Sequence, residues 1–193
     1  SGGHTELVLM KDHGEYETTI TGQSRWVSRR WINSYEELRQ YQVNPVKDED
    51  LLQWVEGVKA TQEQFAPQTM YVPGYGCGFH ASHSLMGVQM FSLAIYDEPD
   101  HLWRIMEAIS ENCVHFAEAA ADAKLAPLFF VGDDVAYKDK LMFSPKFLKE
   151  SLVKYVGRMC EPLNAAGIKV IFHSDGDITD IVDDLVDVGI AGL

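Results

Sequence analysis

Long apolar runs are missing from this sequence. No stretch of about 18 apolar residues occurs, so nothing in it reads as a transmembrane helix. Cations are scarce, with 16 Lys and Arg against 29 Asp and Glu and a net charge of −13. Phosphate backbones and anionic lipid headgroups are bound by neutralising cations, so the expectation is no nucleic-acid partner and no membrane surface. Cysteine is sparse too. Cys77, Cys113 and Cys160 are odd in number and form no CxxC pair, which suits a reducing cytoplasm rather than a disulfide scaffold. The opening Ser1-Gly2-Gly3-His4 has no apolar signal core and reads as a remnant of cloning.

What the chain does contain is the composition of a folded domain. Its 193 residues are 46% hydrophobic and 11% aromatic, enough to bury a core without disulfide or metal staples. No linker, low-complexity tract or short repeat interrupts it, so residues 1–193 read as one domain. Residues 1–47 are a hairpin and an irregular part; residues 48–193 are βα repeats.

Residues 6–21 alternate around Asp12-His13-Gly14, a β-hairpin signature. Residues 24–47 read as irregular and carry Trp26 and Trp31, with a short helix capped by Ser34. From Asp48 the period becomes 3.6, with Leu51, Leu52, Val55, Val58 and Phe65 as one stripe. Met70-Tyr71-Val72 reads as the first buried strand. Helical periodicity follows from Phe79 to Ile95, and Glu98-Pro99-Asp100 opens a long helix to about Ala123.

Leu128-Phe129-Phe130-Val131 and Val170-Ile171-Phe172 are continuous apolar runs, the pattern of strands covered on both faces. A helix from Ser144-Pro145 lies between them, with Pro162 expected to kink or end it and Gly167 to close the segment. A last helix from Ile178 to Val188 is capped by Gly189, and Ile190-Ala191-Gly192-Leu193 begins a fourth strand. Strand then helix, repeated, is the α/β pattern of a parallel sheet. About four strands is half of what a (β/α)8 barrel of ~250 residues contains, so the alternatives are a small open α/β fold and an incomplete barrel.

In parallel α/β proteins the site lies where loops leave the carboxyl ends of strands. Those loops are Gly74-Tyr75-Gly76-Cys77-Gly78-Phe79-His80, then Asp133-Asp134, then His173-Ser174-Asp175-Gly176. His173-x-Asp175 offers an imidazole and a carboxylate, both zinc donors. The other reading is that His173 bonds a neighbouring carboxylate while Asp175 caps the next helix. Asp133-Asp134 can share a proton or orient a ligand, or one of the pair can satisfy loop amides; Asp134 is preferred for the site because it lies deeper in the loop. The glycine-rich loop is not a phosphate-binding GxGxxG and suits a tight turn that lets substrate approach the backbone. A Cys77/His80/His83 zinc cluster lacks a second ligand pair, and Ser84 lacks the elbow of a triad hydrolase. Cys113 and Cys160 read as core thiols. His4, His13, His101 and His115 read as surface or boundary residues.

Gly132-Asp133-Asp134, Phe143-Ser144-Pro145-Lys146-Phe147 and Val170-Ile171-Phe172-His173-Ser174-Asp175-Gly176 resemble, in order and spacing, the uroporphyrinogen decarboxylase superfamily. So does Leu85-Met86-Gly87 leading to Tyr96-Asp97-Glu98-Pro99-Asp100. The resemblance runs from about residue 68 to 193. It implies a (β/α)8 TIM barrel, incomplete in this chain, with a funnel at the carboxyl ends of the strands. It also implies one of two chemistries: cofactor-free decarboxylation of uroporphyrinogen III in porphyrin biosynthesis, or zinc-dependent methyl transfer with a corrinoid protein.

The decarboxylases of the family carry Gly-x-Pro-aromatic-Thr-Leu and then a site tyrosine. Here Gly76-Cys77-Gly78-Phe79-His80-Ala81-Ser82-His83-Ser84 has no such tyrosine. The methyltransferases carry His-x-Cys-Gly as zinc ligands, and here His173-Ser174-Asp175-Gly176 keeps the histidine and substitutes aspartate for cysteine. A second cysteine ligand would fall beyond Leu193. The resemblance therefore implies a zinc-assisted methyltransferase with a small methylated substrate and a corrinoid supplied by a partner protein. On it, Asp134, His173 and Asp133 are catalytic. Gly76, Phe79 and His80 bind substrate, and His173 and Asp175 hold zinc as a Lewis acid. The alternatives are a uroporphyrinogen III decarboxylase with no cofactor, and an inactive barrel fragment. Association across an exposed sheet edge would give a homodimer.

Overall fold

The computed structural model describes residues 30–193 in full and the backbone of residues 4–10, 14–21 and 24–27. Strands β1 (His4–Met10), β2 (Gly14–Thr21) and β3 (Ser24–Val27) form an antiparallel meander in the order β1-β2-β3. The predicted hairpin is β1–β2, with Met10 opposite Gly14. β3 is a correction to the irregular reading of residues 24–47. Four residues are too few to display a period, and the strand owes its place to pairing with β2, Thr18 opposite Val27. Residues 1–3 and 11–13 and the side chains of His4, His13 and Trp26 lie outside the described residues.

The chain divides into two compact units, residues 1–43 with 81–106, and residues 44–80 with 107–193. The first holds the meander, α1 (Tyr35–Gln40), most of α3 (Phe79–Ser84), α4 (Val88–Asp97) and the start of α5 (Pro99–Asp122). Ser34 Oγ accepts from the Glu37 amide at 3.2 Å, the predicted cap of α1. Ile32, Leu38, Phe91, Leu102 and Ile105 are buried. Tyr35 donates to Asp97 at 2.6 Å, and the Arg104 guanidinium donates to the Tyr41 carbonyl at 2.7 Å. The helical pattern from Phe79 to Ile95 is broken into α3 and α4 at Gly87, whose φ of +80° a side chain rarely adopts.

The second unit carries a parallel sheet of β4 (Gly74–Tyr75), β5 (Leu128–Gly132) and β8 (Lys169–His173), in that order. Its helices are α2 (Asp48–Phe65), the rest of α5, α6 (Pro145–Leu148), α7 (Lys154–Ala165) and α8 (Thr179–Asp187). A π-helical turn at Lys149–Val153 joins α6 to α7. α6 starts at Ser144-Pro145 as predicted, with Ser144 Oγ as its cap. Pro162 lies inside α7 and does not end it at its own position. The helix stops at Ala165, and Gly167, with φ of +80°, follows. Beyond α8, Ala191 N donates to Val170 O at 2.7 Å and Phe172 N to Gly192 O at 3.0 Å, so the fourth strand begins parallel beside β8.

Three expectations change here. The first strand is not Met70-Tyr71-Val72, where Met70 and Tyr71 are exposed, but Gly74-Tyr75. Glycine decides this. A Cβ on Gly74 would stand 2.6 Å from the Phe130 carbonyl oxygen, so only glycine approaches β5 so closely. The α2 stripe is narrower than its period suggests, because Val55 and Val58 are buried while Leu52 and Phe65 are exposed. The apolar strands are covered on one face, not two. Phe129, Val131, Val170 and Phe172 are buried, whereas Phe130, on the other face of β5, is 39% exposed. On the buried side Trp54 meets Phe116 edge-on at 5.3 Å, and Tyr75 stacks on Phe116 at 4.0 Å. Fully buried side chains such as Phe129, Val131, Val170 and Phe172 contribute roughly 1.5–3 kcal/mol each.

Cys77, Cys113 and Cys160 are all buried and unpaired. Burial pushes the Cys160 thiol up to about 11 and raises the Cys77 and Cys113 thiols as well. A chromogenic disulfide reagent is therefore expected to find no reactive thiol in the native protein and three after denaturation. A fast-reacting thiol in the native state would contradict that burial. Among the described residues, no helix is long and apolar enough to cross a membrane.

Candidate metal centre

The carboxyl ends of β5 and β8 are held in register by Gly132 opposite His173 and by Asp133 N donating to His173 O at 3.0 Å. The two aspartates that follow β5 then part company. Asp133 turns inward and is almost wholly buried. Its Oδ2 accepts from the Cys77 amide at 2.7 Å and from the Cys77 thiol at 2.9 Å, while Oδ1 accepts from the His80 amide. Burial raises its carboxyl above the usual aspartate range, against the Cys77 and His80 hydrogen bonds that pull it down. Asp133 is thus the member of the pair that satisfies loop amides, tying the glycine-rich loop after β4 to the end of β5.

Asp134 faces the other way, with half its side chain exposed, and meets the loop after β8. Its Oδ1 accepts from the Asp175 amide at 2.9 Å and lies 3.8 Å from His173 Nε2. Asp175 Oδ1 is also 3.8 Å from His173 Nε2. Among the described residues this trio alone brings three metal-binding side chains together, with one donor atom from each within 4.8 Å of the others. A tetrahedral zinc site with bonds of about 2.1 Å sets its donors about 3.4 Å apart, so small side-chain rotations close the set. One imidazole and two carboxylates are an N/O donor set that zinc accepts. The donors fit the metal.

The loop after β8 is built to present these groups. Ser174 Oγ accepts from the Val135 amide at 3.0 Å, and Asp177 N donates to Tyr137 O at 2.9 Å. Tyr137 belongs to a small hairpin of β6 (Ala136–Tyr137) and β7 (Lys140–Leu141) that the sequence reading missed, since two-residue strands leave no periodic signal. Asp175 does not cap α8. The N-cap position is Ile178, which offers no side-chain cap, and just before it Asp177 Oδ1 accepts from the Thr179 amide at 3.0 Å and its hydroxyl at 2.6 Å, which lowers the Asp177 carboxyl. The Asp175 carboxylate is left 83% exposed beside His173.

Of the residues assigned to substrate binding, Gly76 borders an open cleft of about 440 Å³ with Tyr71, Gly74, Phe130 and Gly132. His80 is exposed at the start of α3. Phe79 is fully buried, with the Phe143 and Phe147 rings at 5.5 and 6.3 Å, so its ring packs beneath the loop. Cys77 donates its thiol proton to Asp133 and is no ligand of a zinc cluster. Sequence reasoning paired His173 with Asp175 but did not add Asp134 to the metal set. Aspartate at the end of the neighbouring strand was the available signal.

Comparison with known proteins gives the family and the fold. No curated protein matches the sequence. A solved structure, a methyltransferase from Methanosarcina mazei, superposes with a TM-score of 0.62 at 20% identity, over 87% of this chain and 48% of that one. At that identity the likeness is one of fold, and the chain spans about half the length of that relative. Residues 21–193 match the family described as uroporphyrinogen decarboxylase (URO-D), a span that takes in every residue of the trio and of the Asp133 loop. By that match the chain belongs to the uroporphyrinogen decarboxylase family.

Proposed function

We propose that this protein takes part in zinc-assisted methyl transfer between a small methylated substrate and a corrinoid carried by a partner protein. The observation that carries the reading is the convergence of Asp134, His173 and Asp175 at the ends of two adjacent strands. His173 and Asp175 would hold the metal and Asp134 would complete the set. Zinc bound there supplies Lewis acidity toward the group being demethylated. The chain's own residues do the rest. Asp134 Oδ1 fixes the His173 loop through the Asp175 amide, and its second oxygen is left to orient substrate or take a proton. Asp133 anchors the glycine-rich loop, and the cleft beside Gly76 is of a size that takes a small molecule. Three buried, unpaired thiols support a reducing, cytoplasmic setting.

The sheet supports a barrel reading as well. Parallel strands in the order β4-β5-β8, with the next strand starting on the far side of β8, follow chain order without the reversal of a doubly wound sheet. One face is covered by helices and the other carries Phe130 and the site, as one wall of a (β/α)8 barrel would.

Elemental analysis of the purified protein is expected to find about one zinc per chain, lost in His173→Ala. No zinc in the unsubstituted protein would sink the metal reading. The family description favours a second reading, decarboxylation of uroporphyrinogen III without a cofactor. Decarboxylation that persists in His173→Ala would put that reading first.

A further inference from the structure

A metal-binding imidazole is normally oriented by its other ring nitrogen, which donates to a carboxylate, carbonyl or water. In this chain an aromatic face also lies against the imidazole. The Phe130 ring stacks on His173 with centroids 5.6 Å apart and planes 28° from parallel. The two residues sit diagonally across adjacent strands. His173 pairs with Gly132, two residues beyond Phe130 on the same face of β5. To reach His173, the phenyl ring must therefore lie along the strand, over Gly132.

Glycine makes that path available. A Cβ on Gly132 would stand 2.9 Å from Phe130 Cε1, too close for the ring to stay where it lies, with Cζ at an ordinary contact distance of 3.6 Å. On the other flank Gly74 pairs with Phe130, and a Cβ there would stand 2.9 Å from Phe130 Cβ and 3.2 Å from Cδ1. Two glycines on two strands thus leave a lane that the phenyl ring fills. The ring is 39% exposed, so its position is not set by core packing alone.

We propose that Phe130 is a positioning residue for the metal trio: its ring, laid in the lane between Gly74 and Gly132, holds the His173 imidazole with Nε2 turned toward Asp134 and Asp175. The inference rests on the reading of the trio as a metal site. The half-exposed His173 side chain would otherwise sample rotamers that take Nε2 away from both carboxylates.

Two measurements on the same proteins test it. In the metal-free protein, the carbon-bound ring protons of His173, assigned by their loss in His173→Gln, carry an upfield ring-current shift. That shift disappears in Phe130→Leu and persists in Phe130→Tyr. Zinc titration by calorimetry then gives an affinity roughly ten- to a hundredfold weaker for Phe130→Leu, as for loss of other groups that orient a ligand, with Phe130→Tyr close to the unsubstituted protein. Gly132→Ala, which keeps the phenyl ring but blocks its lane, weakens binding to the same extent. Zinc affinities of Phe130→Leu and Gly132→Ala that match the unsubstituted protein overturn the positioning role and leave the metal site standing. Absence of zinc binding by the unsubstituted protein, with the ring-current shift intact, overturns the metal reading and the positioning role together.

Discussion

Asp133→Asn is expected to lower the unfolding free energy by about 2–4 kcal/mol, the largest effect on stability of any single polar substitution in the site. The carboxylate accepts from three donors, the Cys77 and His80 amides and the Cys77 thiol, inside the core. Asparagine keeps one acceptor oxygen and turns an NH₂ toward at least one of those donors. A buried donor stripped of its partner costs about 1–3 kcal/mol, and here the loss includes an N–H against N–H contact. For a chain of this length the melting temperature falls by roughly 5–15 °C. A change below about 0.5 kcal/mol would mean that water or loop movement satisfies those amides without Asp133.

The same residue sets a pH dependence. Its folded carboxyl is raised by burial above the ordinary aspartate value near 3.9, so between the two values the native state binds more protons than the unfolded chain. Its contribution to stability is full below the unfolded value and is lost as pH rises through the raised folded value. Asparagine carries no proton. The stability gap between the unsubstituted protein and Asp133→Asn is therefore widest in acid and narrows toward neutral pH. Urea unfolding at several pH values reads the gap, and one that widened toward neutrality would reverse the sign.

The second large effect is on zinc. Asp134→Asn and Asp175→Asn each remove one anionic donor from a set of three, and His173→Ala removes the only nitrogen. Each is expected to weaken zinc binding by a hundredfold or more, since two remaining side chains cannot define a closed site. The three side chains are half-exposed or more, so folding stability changes by less than about 0.5 kcal/mol. Asp133→Asn behaves in the opposite way. It costs stability, yet where the protein remains folded it retains the zinc ligands. Calorimetric zinc titration beside urea unfolding separates the two aspartates, and equal zinc affinity in Asp134→Asn would remove it from the metal set.

Much of this was written along the chain. The helix periods of α2, α5, α7 and α8, the Ser34 cap, the helix start at Ser144-Pro145, the apolar runs of β5 and β8 and the pairing of His173 with Asp175 are local patterns that a linear reading detects. The family resemblance rested on motifs held in order. Tertiary structure decided the rest. Adjacent residues such as Asp133 and Asp134 leave a strand toward opposite sides, and only the packed loop says which is buried against Cys77 and which faces His173. The position of β4 depended on how closely Gly74 approaches Phe130, a distance between strands that no periodicity contains. The exposure of Phe130 followed from which face the helices cover. The third member of the metal trio lies 39 residues before His173 and 41 before Asp175, so its membership is set by strand register. Short-range order is encoded in the spacing of residues. A site made between strands is encoded only in how those strands pack.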